Sequence, residues 1–332
     1  MKSSYARRIR NLQKLMKTDK ILITDPNNIY YYSGYDAEPE SSFLVVDSSK
    51  KPHLFVCPLE NEAKLLKTAR VSFMKKDSLE KELKGHVTGF EETMRMWLYL
   101  NLKKAGIRLK PCRDIVMKPR EVKDAHELEQ MKKAIDLVRH AVKNDVSQSF
   151  GLSEKELAFR IESSFMKAGG IRSFKTIVAT GRNGQFIHYT PKSTKIMKGE
   201  LTVIDMGAKV NRYCSDISRT IHKGIGSGKK RLYEDITEIQ GKIIDIIETG
   251  MSLDELQDAY ISMMKSRRHE VKHFVSHGIG LSVHEKVDEL KPGMVITVEP
   301  GVYTNKGGCR IEDMILVKKS GVKVLSESIP NL

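Results

Sequence analysis

The sequence predicts an α+β protein in two parts, a smaller α/β module over residues 1–115 and an internally duplicated α+β domain over residues 116–332. Three observations carry this prediction. One pattern occurs twice in the C-terminal part: a long amphipathic helix, a helix opened by a Ser-x-x-Glu box, then a strand pair bearing two acids. The segment Cys112–Lys123, with Pro111 and Pro119, separates that part from what precedes it. Finally, 332 residues with 40% hydrophobic and 30% charged content are enough for two domains with a substantial core.

In the first module, Ala6–Met16 reads as a basic amphipathic helix, followed by strands at Ile21–Thr24, Ile29–Tyr32, Phe43–Val46 and His53–Val56. Asp25-Pro26-Asn27-Asn28, Asp47-Ser48-Ser49 and Cys57-Pro58 are the turn signals between them. Helices are expected near Glu60–Thr68, Ser78–Leu83 and Thr93–Ala105. Tyr30-Tyr31-Tyr32 reads as ordinary sheet packing rather than a stacking platform.

In the second part, Leu128, Met131, Ile135, Val138 and Val142 form one helical stripe. Ser153–Glu156 caps a helix carrying Leu157, Ile161 and Phe165, which Gly169-Gly170 stops. Strands are expected at Phe174–Thr180 and over the hairpin Leu201–Thr220. The pattern then returns: Ile236, Ile239, Ile243 and Ile247 form a stripe stopped by Gly250, and Ser252–Glu255 caps a helix with Leu256, Tyr260 and Met263. Strands at Phe274–Ser276, Val295–Val298 and Cys309–Val317 close the unit.

The acids on these strand pairs need an explanation, because Asp competes with the sheet ladder for backbone hydrogen bonds. Asp205 and Asp216 are eleven residues apart, Glu299 and Glu312 thirteen. One such pair reads as a turn acid and a surface acid; two in matching positions do not. Four carboxylates on buried strands repel one another unless cations compensate them. His277, where an apolar stretch opens into Gly278-Ile279-Gly280, adds an imidazole. Two metals about 3.5–4 Å apart, bridged by carboxylates, form a hydrolytic site. Oxygen-rich ligation with one imidazole suits Mn²⁺, Co²⁺, Fe²⁺ or Zn²⁺ and argues against a structural zinc.

At these residues the chain resembles a known family. DMGA…YCSDISRT, SHGIGLSVHE, TVEPGVY and GCRIED are similar to the successive motifs of the pita-bread metallopeptidases, which include Xaa-Pro dipeptidase (prolidase), aminopeptidase P and methionine aminopeptidase. PNNIYYYSGY and KDAHELEQMKKA resemble the creatinase-type N-domain and linker of the proline-specific branch. The resemblance implies a pita-bread catalytic domain over 116–332 and cleavage of Xaa-Pro bonds at peptide N-termini. It further implies two divalent ions, Mn²⁺ or Co²⁺ foremost and Zn²⁺ or Fe²⁺ as alternatives. Asp205 would hold one metal, Asp216 and Glu312 would bridge both, and His277 and Glu299 would complete the second. A metal-bridging hydroxide would be the nucleophile, with Glu299 passing on its proton. His188 matches the histidine near the scissile carbonyl, His284 the one that stabilises the tetrahedral intermediate, and Arg310 an arginine close to the site. A homodimer is implied as well.

Each of the last three has a plainer alternative: a loop residue for His188, a surface pair with Glu285 for His284, and neutralisation of Asp313 for Arg310. His126, His140, His222, His269 and His273 read as surface or packing residues. HEKVD lacks the second histidine of HExxH, and GIGSGKK lacks the hydroxyl residue and upstream glycine of a phosphate-binding loop, so it reads as a turn before a helix. Between His284 and Glu299 the chain is shorter than in proline-specific relatives and has no arginine to grip a dipeptide carboxylate. Lys286 or Lys291 could replace it as a point charge. Dipeptides and longer Xaa-Pro peptides both remain open as substrates.

Composition bounds the alternatives. The net charge of +15 suggests nucleic acid, but the lysines are spread along the chain and alternate with acids, as on a solvated surface. A non-enzymatic pita-bread binding protein would be expected to lose metal ligands, and none is lost; methionine-aminopeptidase-like activity fits the N-domain less well. No 18-residue apolar run or signal-type segment is seen, and the four cysteines are scattered without a CxxC. The expectation is a cytoplasmic protein with reduced thiols and no membrane partner.

Overall fold

The computed structural model describes residues 2–332, and packing divides the chain into two units, 1–120 and 121–332. Unit 1 runs α1 (Lys2–Leu15), β1 (Lys20–Ile23), α2 (Pro26–Ser33), β2 (Ser42–Asp47), β3 (His53–Val56), β4 (Arg70–Phe73), α3 (Ser78–Leu83), β5 (Val87–Phe90), α4 (Met96–Lys104), β6 (Arg108–Pro111) and α5 (Arg113–Met117). Its six strands form one mixed sheet, ordered β4-β3-β2-β1-β5-β6. Leu22, Val45 and Phe55 from the sheet pack against Leu83, Leu98 and Leu102 from the helices.

The expected strand at Ile29–Tyr32 is a helix. Asp25 caps α2 by accepting from the Asn28 amide, Pro26 occupies the first turn, and Gly34 closes it at φ 77°. The three tyrosines are buried, with Tyr31 and Tyr32 hydroxyls donating to the carbonyls of Pro119 and Val116. Cap chemistry outweighs the strand preference of the tyrosine run. The helix expected near Glu60–Thr68 is a 3₁₀ turn at Asn61–Leu65.

Unit 2 runs α6 (Ala125–Asn144), α7 (Glu154–Lys167), β7 (Ile171–Arg172), β8 (Ile177–Thr180), β9 (Leu201–Met206), β10 (Ala208–Val210), β11 (Tyr213–Cys214), β12 (Ile217–His222), α8 (Ser227–Asp245), α9 (Leu253–Ser266), β13 (Val295–Val298), β14 (Gly301–Thr304), β15 (Gly307–Arg310), β16 (Asp313–Val317) and β17 (Val322–Val324). Each half contributes two helices and a three-stranded antiparallel sheet, β12-β9-β8 in the first and β13-β16-β17 in the second. Both Ser-x-x-Glu boxes are formed, Ser153 with Glu156 and Ser252 with Glu255. Ile236, Ile239 and Ile243 of α8 and Leu256, Tyr260 and Met264 of α9 pack against Ile296, Val298 and Ile315 of the second sheet. This apolar face is what seats the helices, since isolated helices of such length are marginal in water.

Two local expectations change. Phe274–Ser276 is not a regular strand; Val275 takes the Glu299 amide on its carbonyl and gives its own amide to the Gln257 side chain. Ser227 already opens α8, so GSGKK forms the start of that helix rather than a turn before it.

Candidate active site

Asp205 lies one residue from the end of β9, opposite Ser218 of β12. Gly207 then lets the chain leave this sheet: a Cβ there would come within 2.1 Å of Ser173 Oγ and 2.2 Å of the Ser215 carbonyl. The second arm of the expected hairpin Leu201–Thr220 is consequently broken into β11 and β12, and Asp216 occupies the break. In the second half Glu299 follows β13 directly, and Glu312 sits between β15 and β16, its amide donating to the Ser218 carbonyl. That bond stitches the two halves together at the acids.

The five sequence-derived ligands line one cavity of about 690 Å³, together with His188, His284 and Arg310. Ligand atoms of Asp216, His277 and Glu312 all lie within 4.8 Å of one another. His277 Nε2 is 3.7 Å from Asp216 Oδ2 and 3.3 Å from Glu299 Oε1. Its Nδ1 lies 3.0 Å from the Gly278 carbonyl, within reach of an Nδ1–H, while Nε2 points to the acids.

A divalent-cation site fits these residues. Asp205 Oδ1 and Glu312 Oε1 are buried without a hydrogen-bond partner among the described residues, an arrangement that costs free energy unless a cation fills it. Burial, with repulsion from Glu312, Asp205 and Glu299, pushes the Asp216 carboxyl well above its usual range; burial, Glu299 and Asp205 do the same to Glu312. Burial also opposes charge on Glu299, but His277 and Arg310 outweigh it and hold that carboxyl low.

Arg310 is 2% exposed and every branch of its guanidinium is engaged. Nε donates to Ser218 Oγ at 2.8 Å, Nη1 to Tyr303 Oη at 2.9 Å and Nη2 to Asp205 Oδ2 at 2.6 Å. Asp313, the alternative partner, is instead held by Arg219 at 2.8 Å. His284 does not pair with Glu285, whose carboxylate faces Lys123 and accepts from the Leu281 and Ser282 amides. Its ring meets that of His277 edge-on, 4.3 Å between centroids. His188 stands exposed on the wall formed by 187–190.

One lining residue has no distinguishing sequence signal. His273, read as packing, places Nε2 3.0 Å from Tyr303 Oη and Nδ1 3.8 Å from Glu299 Oε2. Tyr303 accepts from Arg310, so its proton goes to His273 Nε2, and the Nδ1–H goes to the Phe274 carbonyl 2.8 Å away. Burial, against the pull of Glu299, favours this neutral imidazole. Its position four residues before His277 carries meaning only once Tyr303 and Arg310 are in place.

Comparison with known proteins agrees with this architecture. Residues 129–319 match the model of metallopeptidase family M24, and residues 8–122 match the creatinase/prolidase N-terminal domain. The chain is 34% identical to the Xaa-Pro dipeptidase of Pyrococcus furiosus, over 96% of this chain and 97% of that one. The crystal structure of a prolidase from Pyrococcus horikoshii superposes with TM-score 0.89 at 32% identity, covering 97% and 98% of the two chains. An X-Pro aminopeptidase from Thermotoga maritima superposes with TM-score 0.88 at 28% identity over 97% and 98%. A creatinase-type N-terminal domain and a pita-bread catalytic domain define the class. The chain belongs to metallopeptidase family M24.

Proposed function

We propose that this protein hydrolyses the Xaa-Pro bond at peptide N-termini, using two divalent ions held by Asp205, Asp216, His277, Glu299 and Glu312. The observation that carries the reading is their convergence in one cavity, with buried carboxylate oxygens that no described residue satisfies. Mn²⁺ or Co²⁺ suits so oxygen-rich a set. When bound, the ions would polarise the scissile carbonyl and lower the pKa of a water.

The protein's own groups divide the remaining work. Arg310 fixes one oxygen of Asp205 and so sets which oxygen faces the cavity. Glu299, held as a carboxylate by its neighbours, takes up and passes on a proton. His188 and His284 are exposed towards the same space and offer ring N–H donors to the carbonyl oxygen as charge develops on it. Phe174, Ile177, Ile187 and Val283 give the cavity apolar walls for a proline ring.

We assign the chain-length preference to dipeptides. Neither Lys286 nor Lys291 lines the cavity, and Lys286 pairs with Asp288 at 2.9 Å. Lys175 does line it, is exposed, and has no ion-pair partner among the described residues. It is therefore the cation available to a free C-terminal carboxylate. The reading is completed by a cytoplasmic homodimer, which light scattering and fractionation check.

The test is a substrate series on Mn²⁺- or Co²⁺-loaded protein: Xaa-Pro, Xaa-Pro-amide, Xaa-Pro-Xaa and Met-Ala. Xaa-Pro should be turned over best, and Lys175→Gln should raise its KM several-fold without changing that of the amide. Loss of turnover on every Xaa-Pro substrate would overturn the activity; preference for Xaa-Pro-Xaa would overturn the length assignment and favour the aminopeptidase branch.

A further inference from the structure

We propose that Glu154 is the positioning residue for His188, acting from outside the cavity through the segment 180–192. Glu154 opens α7, is 0% exposed and does not line the cavity. Its Oε1 accepts from the Thr180 amide and Asn183 Nδ2, both at 2.9 Å. Its Oε2 accepts from the Tyr189 hydroxyl and the Lys192 amide, both at 3.0 Å. Each oxygen thus takes two donors, one oxygen at the start of the segment and the other at its end.

A buried carboxylate is a costly way to do a purely structural job. No salt bridge neutralises this one among the described residues; the charge is met by four neutral donors and by the N-terminal end of α7. Four convergent donors demand a group with two acceptor oxygens and no donor of its own, which Gln cannot supply. Between the two anchor points lie Phe186, Ile187 and His188. Tyr189, bonded to Glu154, also stacks on Phe186, with centroids 6.2 Å apart and planes at 12°. Holding Tyr189 therefore fixes both neighbours of its backbone and the ring face beside it.

The far side of the segment is fixed too. A Cβ on Gly184 would come within 2.6 Å of the Gly308 nitrogen, and one on Gly308 within 2.0 Å of the Gly184 carbonyl. The loop is seated against β15 by this contact, and Glu154 supplies a second, separate hold. His188 then lines the cavity from a chain anchored at both ends and in its middle rather than from a mobile loop tip.

This inference rests on the proposed peptidase reading for its kinetic consequence, and its test has a readout that does not. Glu154→Gln should lower kcat on Xaa-Pro about ten- to hundredfold, the range for losing a charge-assisted buried hydrogen bond. In a His188→Ala background the same substitution should cost no further rate, because the group it positions is gone. The His188 ring signals in NMR spectra of the full-length protein should shift and broaden in Glu154→Gln, whatever substrate the enzyme takes. Tyr189→Phe, which removes one of the four bonds, should move the same signals by less and remains informative if Glu154→Gln does not fold. Independent, multiplicative losses in the double variant, or unmoved His188 signals, would overturn the proposal. Moved His188 signals in a protein with no Xaa-Pro turnover would leave this inference standing and remove the substrate reading.

Discussion

Arg310 Nη2 lies 2.6 Å from Asp205 Oδ2, whereas Oδ1 of the same carboxylate is buried and accepts no hydrogen bond from the described residues. The protein thus holds one oxygen of the pair and leaves the other for a cation. Arg310→Lys keeps the charge but cannot reach Ser218, Tyr303 and Asp205 with one planar fork. It should weaken metal affinity about 10- to 100-fold, with kcat/KM falling in step. Metal titration alongside kinetics checks this, and unchanged values for both would show that Arg310 does not orient Asp205.

Asp216→Asn should abolish turnover while raising, not lowering, the stability of the metal-stripped protein. Asp216 is 5% exposed and faces Glu312, Asp205 and Glu299, so without a cation the substitution relieves repulsion among buried acids. Thermal melts in chelator at neutral pH should rank the variant above the wild type, and added Mn²⁺ should reverse the order. A variant that melts lower in chelator would show that the acids are not strained without metal.

Unit 1 should lose stability on acidification through the cluster around Glu82. Its carboxylate accepts from Lys20 Nζ at 2.7 Å and faces His53 Nδ1 at 3.0 Å. Burial opposes the charge, but Lys20 and His53 outweigh it and hold Glu82 below the usual range. A depressed carboxyl stabilises the fold above its unfolded value of about 4.3, and this is lost as pH falls through the folded value. His53 is depressed too, by burial and then by Arg70, so its contribution is full above about 6.5 and declines on acidification. Both signs agree. The gap in Tm between wild type and Glu82→Gln should shrink from pH 7 towards pH 3, and a constant gap would contradict it.

Ile239→Ala tests the apolar face of α8. The residue is 2% exposed within the cluster that joins α8 and α9 to the second sheet. The expected cost is about 2–5 kcal/mol, read as a lowered denaturation midpoint at unchanged slope. A loss under 1 kcal/mol, on the order of an exposed site, would mean that the helix is not seated as described.

The helices of unit 2 were legible because a stripe of apolar residues marks each, and for α7 and α9 a reciprocal cap coincides with it. Where neighbouring signals conflict, reading fails. Tyr30–Tyr32 suggested a strand, and only Asp25, Pro26 and Gly34 together mark the helix. The short strands β4, β5 and β6 went unread, because four residues of mixed polarity carry little periodicity and owe their state to sheet neighbours. At the site, the acids stood out as misfits on strands, so their convergence could be anticipated from the chain alone. His273 and Glu154 could not. Their roles depend on Tyr303 and Tyr189, whose hydroxyls only the folded chain brings within reach.

The glycine-to-glycine contact of Gly184 with Gly308 has a consequence for redesign. Gly308 stands two residues before Arg310, and Gly184 four before His188, so the specificity wall and the arginine strand share a seam with no side chain to yield. A library meant to retune substrate choice can vary Ile187 and Lys175, which line the cavity. Diversity introduced at either glycine would be transmitted as backbone displacement to both faces of the cavity at once, and would sample inactive enzymes rather than new specificities.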